Sequence, residues 1–438
     1  MAAPPRPTLW LAAGVRTPFA KVDGPLARLD AIELSVPVVR HMLGELQGAL
    51  PDFVVWGSVV PNLTYSNIAR EVLMDAGAPA TIPAFATVMA CSTSMVAAIE
   101  ASGMLNGIDR TLALVGGAES LSRIQLGLGQ SLSDWIRRFT QARSLGERVS
   151  QVTDLRLGDV KLYIPSVSNR TTGKSMGEHT EITAREWNIP RQEQDEIALA
   201  SHRHAVAARD RAFFDDLVIG VGDVRRDTIP RGDTSLEKLA KLTPAFDRTS
   251  GQGTLTAGNS SPLTDGAAAL WVATTAGLSK LPERVARVRL IDWELSAVDL
   301  RTEGLLMAPA YGIPRLLVRN GLTYGDIGLW EIHEAFAAQV AAHVRALESR
   351  EFLRDKAGIE ADLGRFPRDR MNPNGGSIAL GHPFGATGAR ILSQAVKELA
   401  ARPAGKRAVV SICADGGLGT MMLLESGPGT IIASAPSP

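Results

Sequence analysis

Four residues carry side chains suited to nucleophilic or acid–base work and stand at element boundaries: Cys91, His333, His382 and Cys413. Cys91 follows the apolar, partly β-branched run Phe85–Ala90 and precedes a well-buried helical pattern from Met95 to Leu105. A strand-to-helix turn places a thiol beside unpaired helix N–H groups and the positive end of the helix dipole, which stabilise a thiolate. His382 lies in Asn372–Arg390, where glycines 375, 376, 381, 385 and 388 surround one histidine able to act as acid or base near neutral pH. Blander readings are a packing role for Cys91, a structural one for His333 and an incidental loop histidine in His382. As a metal set the four fail, because no C-x-x-C or H-x-x-x-H spacing joins them. No phosphate-binding G-x-x-x-x-G-K-[ST] occurs, and Gly381–Gly388 is no G-x-G-x-x-G after a strand. Nucleophilic catalysis uses all four. Cys91 would attack an acyl carbonyl while a neighbouring histidine takes its proton. A second thiol, whose ordinary pKa of about 8.5 is tunable, suits proton transfer at carbon. Acyl transfer joined to carbanion chemistry describes a Claisen condensation or its reverse.

The elements that must hold these groups read as an α/β chain. Thr8–Gly14, Asp52–Val60, Thr111–Ser120, Ala267–Thr274, Val285–Glu294, Asp326–Ile332, Arg407–Ala414 and Met421–Glu425 are strand-like. Helical spacing appears at Ala31–Leu43, with Gly44 as a stop, at Asn67–Ala76, at 310–320, at 386–400 and from near His333 to Leu347. Pro190–Ala212 is a further helix, with the proline at its first position. Ser131–Arg148 is amphipathic, with Leu132, Trp135, Ile136 and Phe139 on one side; it packs on its own protein or contacts a partner or membrane surface. One order of parts occurs twice: Cys91, helix, strand, Gly116-Gly117, and His382, helix, strand, Gly416-Gly417. This points to a duplicated unit with Cys91 and His382 at equivalent helix starts.

At 438 residues the chain is long enough for two or three domains, and 45% hydrophobic with 21% charged residues is an ordinary globular composition. Lys+Arg and Asp+Glu both total 46, so no bulk field draws nucleic acid or an anionic membrane. Two cysteines form no disulfide framework, which fits a reducing compartment. Met1–Pro7 has no apolar run of a signal peptide, and no run of about 20 apolar residues would span a bilayer. The default is a soluble cytoplasmic protein. The Gly, Ser and Pro tail from Ser426 reads as loose.

The chain resembles a thiolase (acetyl-CoA C-acyltransferase) nearly end to end. The resemblance rests on Arg16-Thr17-Pro18-Phe19, the Cys91 turn, Thr256-Ala257-Gly258-Asn259 with Ser261, Asp265-Gly266, His333-Glu334-Ala335-Phe336, the His382 stretch, and Cys413 before Gly416-Gly417. It implies a five-layered αβαβα fold: an N-terminal half (1–122 and 254–283), an inserted loop domain (123–253) for coenzyme A binding, and a C-terminal half (284–438). It implies that Cys91 is acylated, that His382 activates it, and that Cys413 moves the α-proton. His382 and the His333 region would hold the thioester oxygen. Backbone N–H groups of Cys91, Asp415 and Gly416 would form the other oxyanion site. Arg231, Ser261, Met307 and Gly381 would contact coenzyme A or substrate, with Ser261 on the pantetheine and the Arg231–Leu239 loop near the adenine and phosphate end. The glycines around His382 would let coenzyme A pass backbone. No permanent cofactor is implied, only coenzyme A and acyl-CoA as substrates, with a homodimer or homotetramer as the assembly.

Three positions depart from the commoner family pattern. His333-Glu334-Ala335-Phe336 replaces Asn-Glu-Ala-Phe and resembles the β-subunits of fatty-acid-oxidation trifunctional complexes, which suggests longer acyl substrates and a hydratase/dehydrogenase α-subunit as partner. Asp415 replaces a small residue; an inward carboxylate would oppose developing negative charge, so it is expected to point away. Ala90-Cys91-Ser92-Thr93-Ser94 replaces Cys-x-Ser-Gly. Two other readings stand beside a thiolase. A decarboxylating β-ketoacyl synthase is opposed by Cys413 and the absence of Phe-Gly-Phe-Gly-Gly, and a non-catalytic scaffold subunit by the intact catalytic set.

Overall fold

The computed structural model describes residues 7–427 except 47, 157, 159, 164 and 166, so most of the N-terminal segment and nearly all of the C-terminal tail lie outside the described residues. Two half-sheets meet edge to edge. The first runs Ala84–Ala86, Phe53–Gly57, Leu112–Glu119, Thr264–Thr274, Leu9–Ala12; the second continues Arg287–Ala297, Leu418–Glu425, Arg407–Ala414, Ile327–Ile332. The halves repeat one plan. A parallel pair (Phe53–Gly57 with Leu112–Glu119; Ile327–Ile332 with Arg407–Ala414) is followed by antiparallel neighbours out to the seam. At the seam Leu9–Ala12 pairs antiparallel with Arg287–Ala297. The duplication read from the sequence is thus a duplication of topology.

Alternation along the strands builds the layers. Val55, Val115, Val410 and Ile412 face inward onto the helices Thr93–Met104 and Thr387–Ala400, forming one apolar core. Val54, Trp56 and Leu114 face outward onto the helices Ala31–Glu45 and Ile68–Asp75. On the other half Trp330, Val409 and Leu423 face the helices Ala308–Arg319 and Ala337–Glu348. The result is helices, sheet, two central helices, sheet, helices. The central pair lies so close at Gly388 that a Cβ there would collide with the Met95 backbone nitrogen.

Several boundaries differ from the sequence reading. The 131–148 segment is two helices, Gln130–Gln141 and Leu145–Asp154, because Ser144 and Glu147 form a capping box that restarts the chain. Trp135 stacks on Phe139 at 5.3 Å, while Leu145, Val149 and Val152 stay exposed. Pro190 caps the Arg191–Asp210 helix from outside, and Gly44 is carried within the first helix. The helix expected near His333 begins at Ala337. The two central helices start at Thr93 and Thr387, each after one 3-10 turn, so Gly385 is the positional equivalent of Cys91; His382 lies three residues upstream of it. Among the described residues no helix is long and apolar enough to cross a membrane.

Candidate active site

The Cys91 turn is held by its own hydroxyl residues. Ala90 takes a φ of 44°, rare for a residue with a Cβ. Thr93 Oγ1 donates to the Ala90 carbonyl at 2.8 Å and accepts from the Met89 N–H at 2.9 Å, bridging both sides of the strained residue. Ser92 Oγ meets Thr420 Oγ1 at 2.9 Å, and Ser94 Oγ accepts from the Ala389 N–H at 2.8 Å, tying the turn to the second half of the molecule. Ser92, Thr93 and Ser94 are therefore braces of the turn.

His382 is 4% exposed, and its Nε2 lies 3.1 Å from Cys91 Sγ. Its Nδ1 lies 2.6 Å from Thr387 Oγ1, and that hydroxyl donates its proton to the Pro383 carbonyl at 3.0 Å. A hydroxyl has one proton, so toward His382 it accepts. His382 therefore carries its proton on Nδ1 and turns the Nε2 lone pair toward the thiol, the arrangement of a general base.

Charge in this pocket is scarce. Burial, then the Asp415 carboxylate, pushes the Cys91 thiol up to about 12. Burial, then Arg390, brings His382 down to about 3. The resting pair is a neutral thiol and a neutral imidazole; desolvation outweighs the helix-end stabilisation expected from sequence. The backbone N–H groups of Cys91 and Asp415 act in the opposite direction on the thiol and lower its pKa. Gly416 does not join them: it is exposed, and its N–H donates to Asp415 Oδ1 at 2.7 Å. That carboxylate also accepts from Asn169 Nδ2 at 2.9 Å. It is turned into its own turn and the segment after the Leu145–Asp154 helix, yet its charge still reaches the thiol.

Cys413 is 1% exposed at the end of Arg407–Ala414, in the apolar cluster that holds Met307 and Phe336. Burial, then Cys91, raises its thiol well above the ordinary value. His333 leaves the neighbouring strand with its ring 4.3 Å from that of His382. Its Nδ1 lies 2.9 Å from Ser377 Oγ, which accepts from Arg390 Nη2 at 2.6 Å; its Nε2 is buried with no partner among the described residues. Cys91, His333 and His382 offer ligand atoms within 4.8 Å of one another. By distance the trio suits a soft cation, although no pair has metal-ligand spacing in the sequence.

Glu334 explains why His333 is not helical. Its buried carboxylate accepts from Ser201 Oγ at 2.6 Å, Asn372 Nδ2 at 2.6 Å and the Ile378 N–H at 3.3 Å, fastening this loop to the His382 stretch. At Gly376 a Cβ would collide with that carboxylate. Along with Gly388, this shows the glycines admitting the protein's own atoms, where the sequence reading had them admitting coenzyme A. Gly381 is likewise lined by Ile229 and Thr264. Among the other expected contacts, Arg231 is exposed and Ser261 half-buried, while Met307 is 1% exposed beside Cys413. Thr387, Ser377, Arg390 and Asn169 were not singled out from sequence. No spacing rule joins Thr387 or Ser377 to a histidine five or 44 residues away.

A thiol against a buried imidazole, with a second buried thiol in a duplicated αβαβα build, is an arrangement suited to acyl transfer through cysteine. Residues 9–276 match the thiolase N-terminal domain and residues 285–426 the thiolase C-terminal domain. The chain belongs to the thiolase family. It is 35% identical over 424 residues to a 3-ketoacyl-CoA thiolase of Yersinia enterocolitica (95% of this chain, 96% of that one). It is 38% identical over 428 residues to one of Aeromonas salmonicida (94% and 95%). Among solved structures, Bacillus anthracis acetyl-CoA acetyltransferase superposes with a TM-score of 0.78 at 28% identity, covering 97% of this chain and 100% of that one. Human mitochondrial 3-ketoacyl-CoA thiolase gives 0.79 at 27%, covering 96% and 99%.

Proposed function

We propose that the protein is a 3-ketoacyl-CoA thiolase, cleaving its substrate with coenzyme A to acetyl-CoA and a shortened acyl-CoA. The observation that carries this is the His382 lone pair aimed at Cys91 Sγ at 3.1 Å. As the sulfur attacks the C3 carbonyl, its proton passes to His382 Nε2. The oxyanion forms against the N–H groups of Cys91 and Asp415, both of which favour negative charge on the sulfur. Breaking the C2–C3 bond leaves an acyl group on Cys91 and an acetyl-CoA enolate. Cys413 gives C2 its proton. The enolate oxygen lies between the Nε2 sides of His382 and His333. After acetyl-CoA leaves, the Cys413 thiolate takes the proton of an incoming coenzyme A thiol, whose sulfur takes the acyl group; the departing Cys91 sulfur recovers its proton from His382 Nε2.

Arg231 and the loop to Leu239 are proposed for the phosphate end of coenzyme A, supported by the exposure of the guanidinium. Ser261, Met307 and Gly381 are proposed nearer the reacting end. In this reading, residues 123–253 form the coenzyme A-binding unit inserted in the first half, and the enzyme works in the cytoplasm as a homodimer or homotetramer without a permanent cofactor. Purified protein given 3-ketoacyl-CoA and coenzyme A should release acetyl-CoA. Turnover only with malonyl-CoA and CO₂ release would mark a synthase, and none without an added subunit would mark a scaffold. Cys413→Ala should still be acylated by acyl-CoA but should not cleave carbon–carbon bonds; full activity would remove Cys413 from the mechanism.

A further inference from the structure

His333 and His382 stand side by side, yet their outer nitrogens meet different partners. His382 Nδ1 faces a hydroxyl whose proton is engaged elsewhere. His333 Nδ1 faces Ser377 Oγ, whose surroundings are the reverse. Arg390 Nη2 donates to that oxygen at 2.6 Å, and a guanidinium cannot accept a proton in return. Ser377 is fully buried, and among the described residues its hydroxyl has only these two side-chain partners. Its proton has one acceptor within reach, His333 Nδ1 at 2.9 Å. His333 must then carry its own proton on Nε2, the buried atom with no partner among the described residues, on a ring 4.3 Å from that of His382. In the opposite tautomer, His333 Nδ1–H would face the Ser377 oxygen and leave the serine proton with no acceptor in a dry interior, which is disfavoured.

We propose that Ser377, oriented by Arg390, is a positioning residue that fixes His333 as the Nε2–H tautomer, so that the site keeps a standing hydrogen-bond donor for the substrate's thioester oxygen. This rests on the thiolase reading for the identity of that oxygen, but the tautomer itself does not. The two histidines then divide the work by protonation pattern. His382 presents a lone pair and takes the Cys91 proton; His333 presents a proton throughout and stabilises the enolate. Burial of both rings lowers the pKa of His333 and His382, with His382 adding to the effect at His333 and the Arg390 charge adding to it at both. Fixing a donor before the charge develops is what makes such a site catalytic rather than merely polar.

The first measurement needs no substrate. In ¹⁵N-histidine-labelled wild-type protein, the His333 signals, assigned by their loss in His333→Ala, should show a lone-pair-bearing Nδ1 and a protonated Nε2. A protonated Nδ1 would overturn the proposal. In thiolysis, Ser377→Ala should lower kcat about tenfold to a hundredfold with KM for 3-ketoacyl-CoA changed less than threefold. Ser377→Thr, which keeps the hydroxyl, should restore most of the loss. In a His333→Ala background Ser377→Ala should cost less than twofold, because the serine acts through His333. An equal loss in both backgrounds would make Ser377 structural and overturn the proposal. If the wild type does not cleave 3-ketoacyl-CoA, the thiolase reading fails while the tautomer measurement still decides this one.

Discussion

Replacing Thr387 by valine tests how His382 becomes a base. The side chain is fully buried, valine has nearly its shape, and the change deletes the one oxygen that accepts from His382 Nδ1–H. The ring would then hold a buried donor without a partner, a state that costs about 1–3 kcal/mol. It can escape by moving its proton to Nε2, where it meets the Cys91 S–H with no lone pair to offer. Either way, proton removal from Cys91 should slow by a factor of about five to 150. Valine also releases the Pro383 carbonyl, so thermal unfolding must be followed in parallel. Thr387→Ser, which keeps the oxygen, is the control. The readout is the single-turnover rate at which acyl-CoA acylates Cys91. A Thr387→Val protein that folds and acylates within twofold of wild type would refute the tautomer argument and with it the assignment of His382 as base.

With the Cys91 thiol pushed up to about 12 and His382 held down to about 3, both partners stay neutral across the middle of the pH range. Alkylation should therefore rise about tenfold per pH unit through pH 9, in step with the thiolate fraction; a plateau from pH 6 would reveal a preformed thiolate–imidazolium pair. Asp415→Asn removes the carboxylate that raises the thiol and should speed alkylation at pH 8 about three- to tenfold; no change would mean that the charge is screened. Gly388→Ala drives a methyl group into the Met95 backbone between the central helices and should cost about 1–3 kcal/mol, seen as a lower Tm. Gly44→Ala, in a helix with open space around the site, should leave Tm unchanged or higher.

What could be read before the fold was known follows from the range of each interaction. Arg407–Ala414 is legible because a strand buried on both faces writes itself as a mostly apolar run, broken here by Ser411 alone after Arg407, and it appears at the expected residues. His382 and Cys413 are legible as reactive side chains beside glycine-rich turns and Cys91 as a thiol between an apolar run and a helical pattern, and the fold brings Cys91 and His382 into contact. His333 was misplaced at a helix start because apolar spacing continues through it, while Glu334 is pulled down by Ser201, Asn372 and Ile378 from distant segments. The split of the 131–148 helix was readable, since Ser144 and Glu147 have capping-box spacing, but the amphipathic pattern masked it. Asp415 is the more instructive case. From sequence its carboxylate was a threat to the oxyanion and was expected to turn away. It does turn away, but in doing so it takes the Gly416 N–H out of the oxyanion site and keeps its charge within reach of the thiol. A residue that looks tolerated therefore sets two quantities at once: which backbone donors remain, and how firmly Cys91 keeps its proton until a substrate carbonyl arrives.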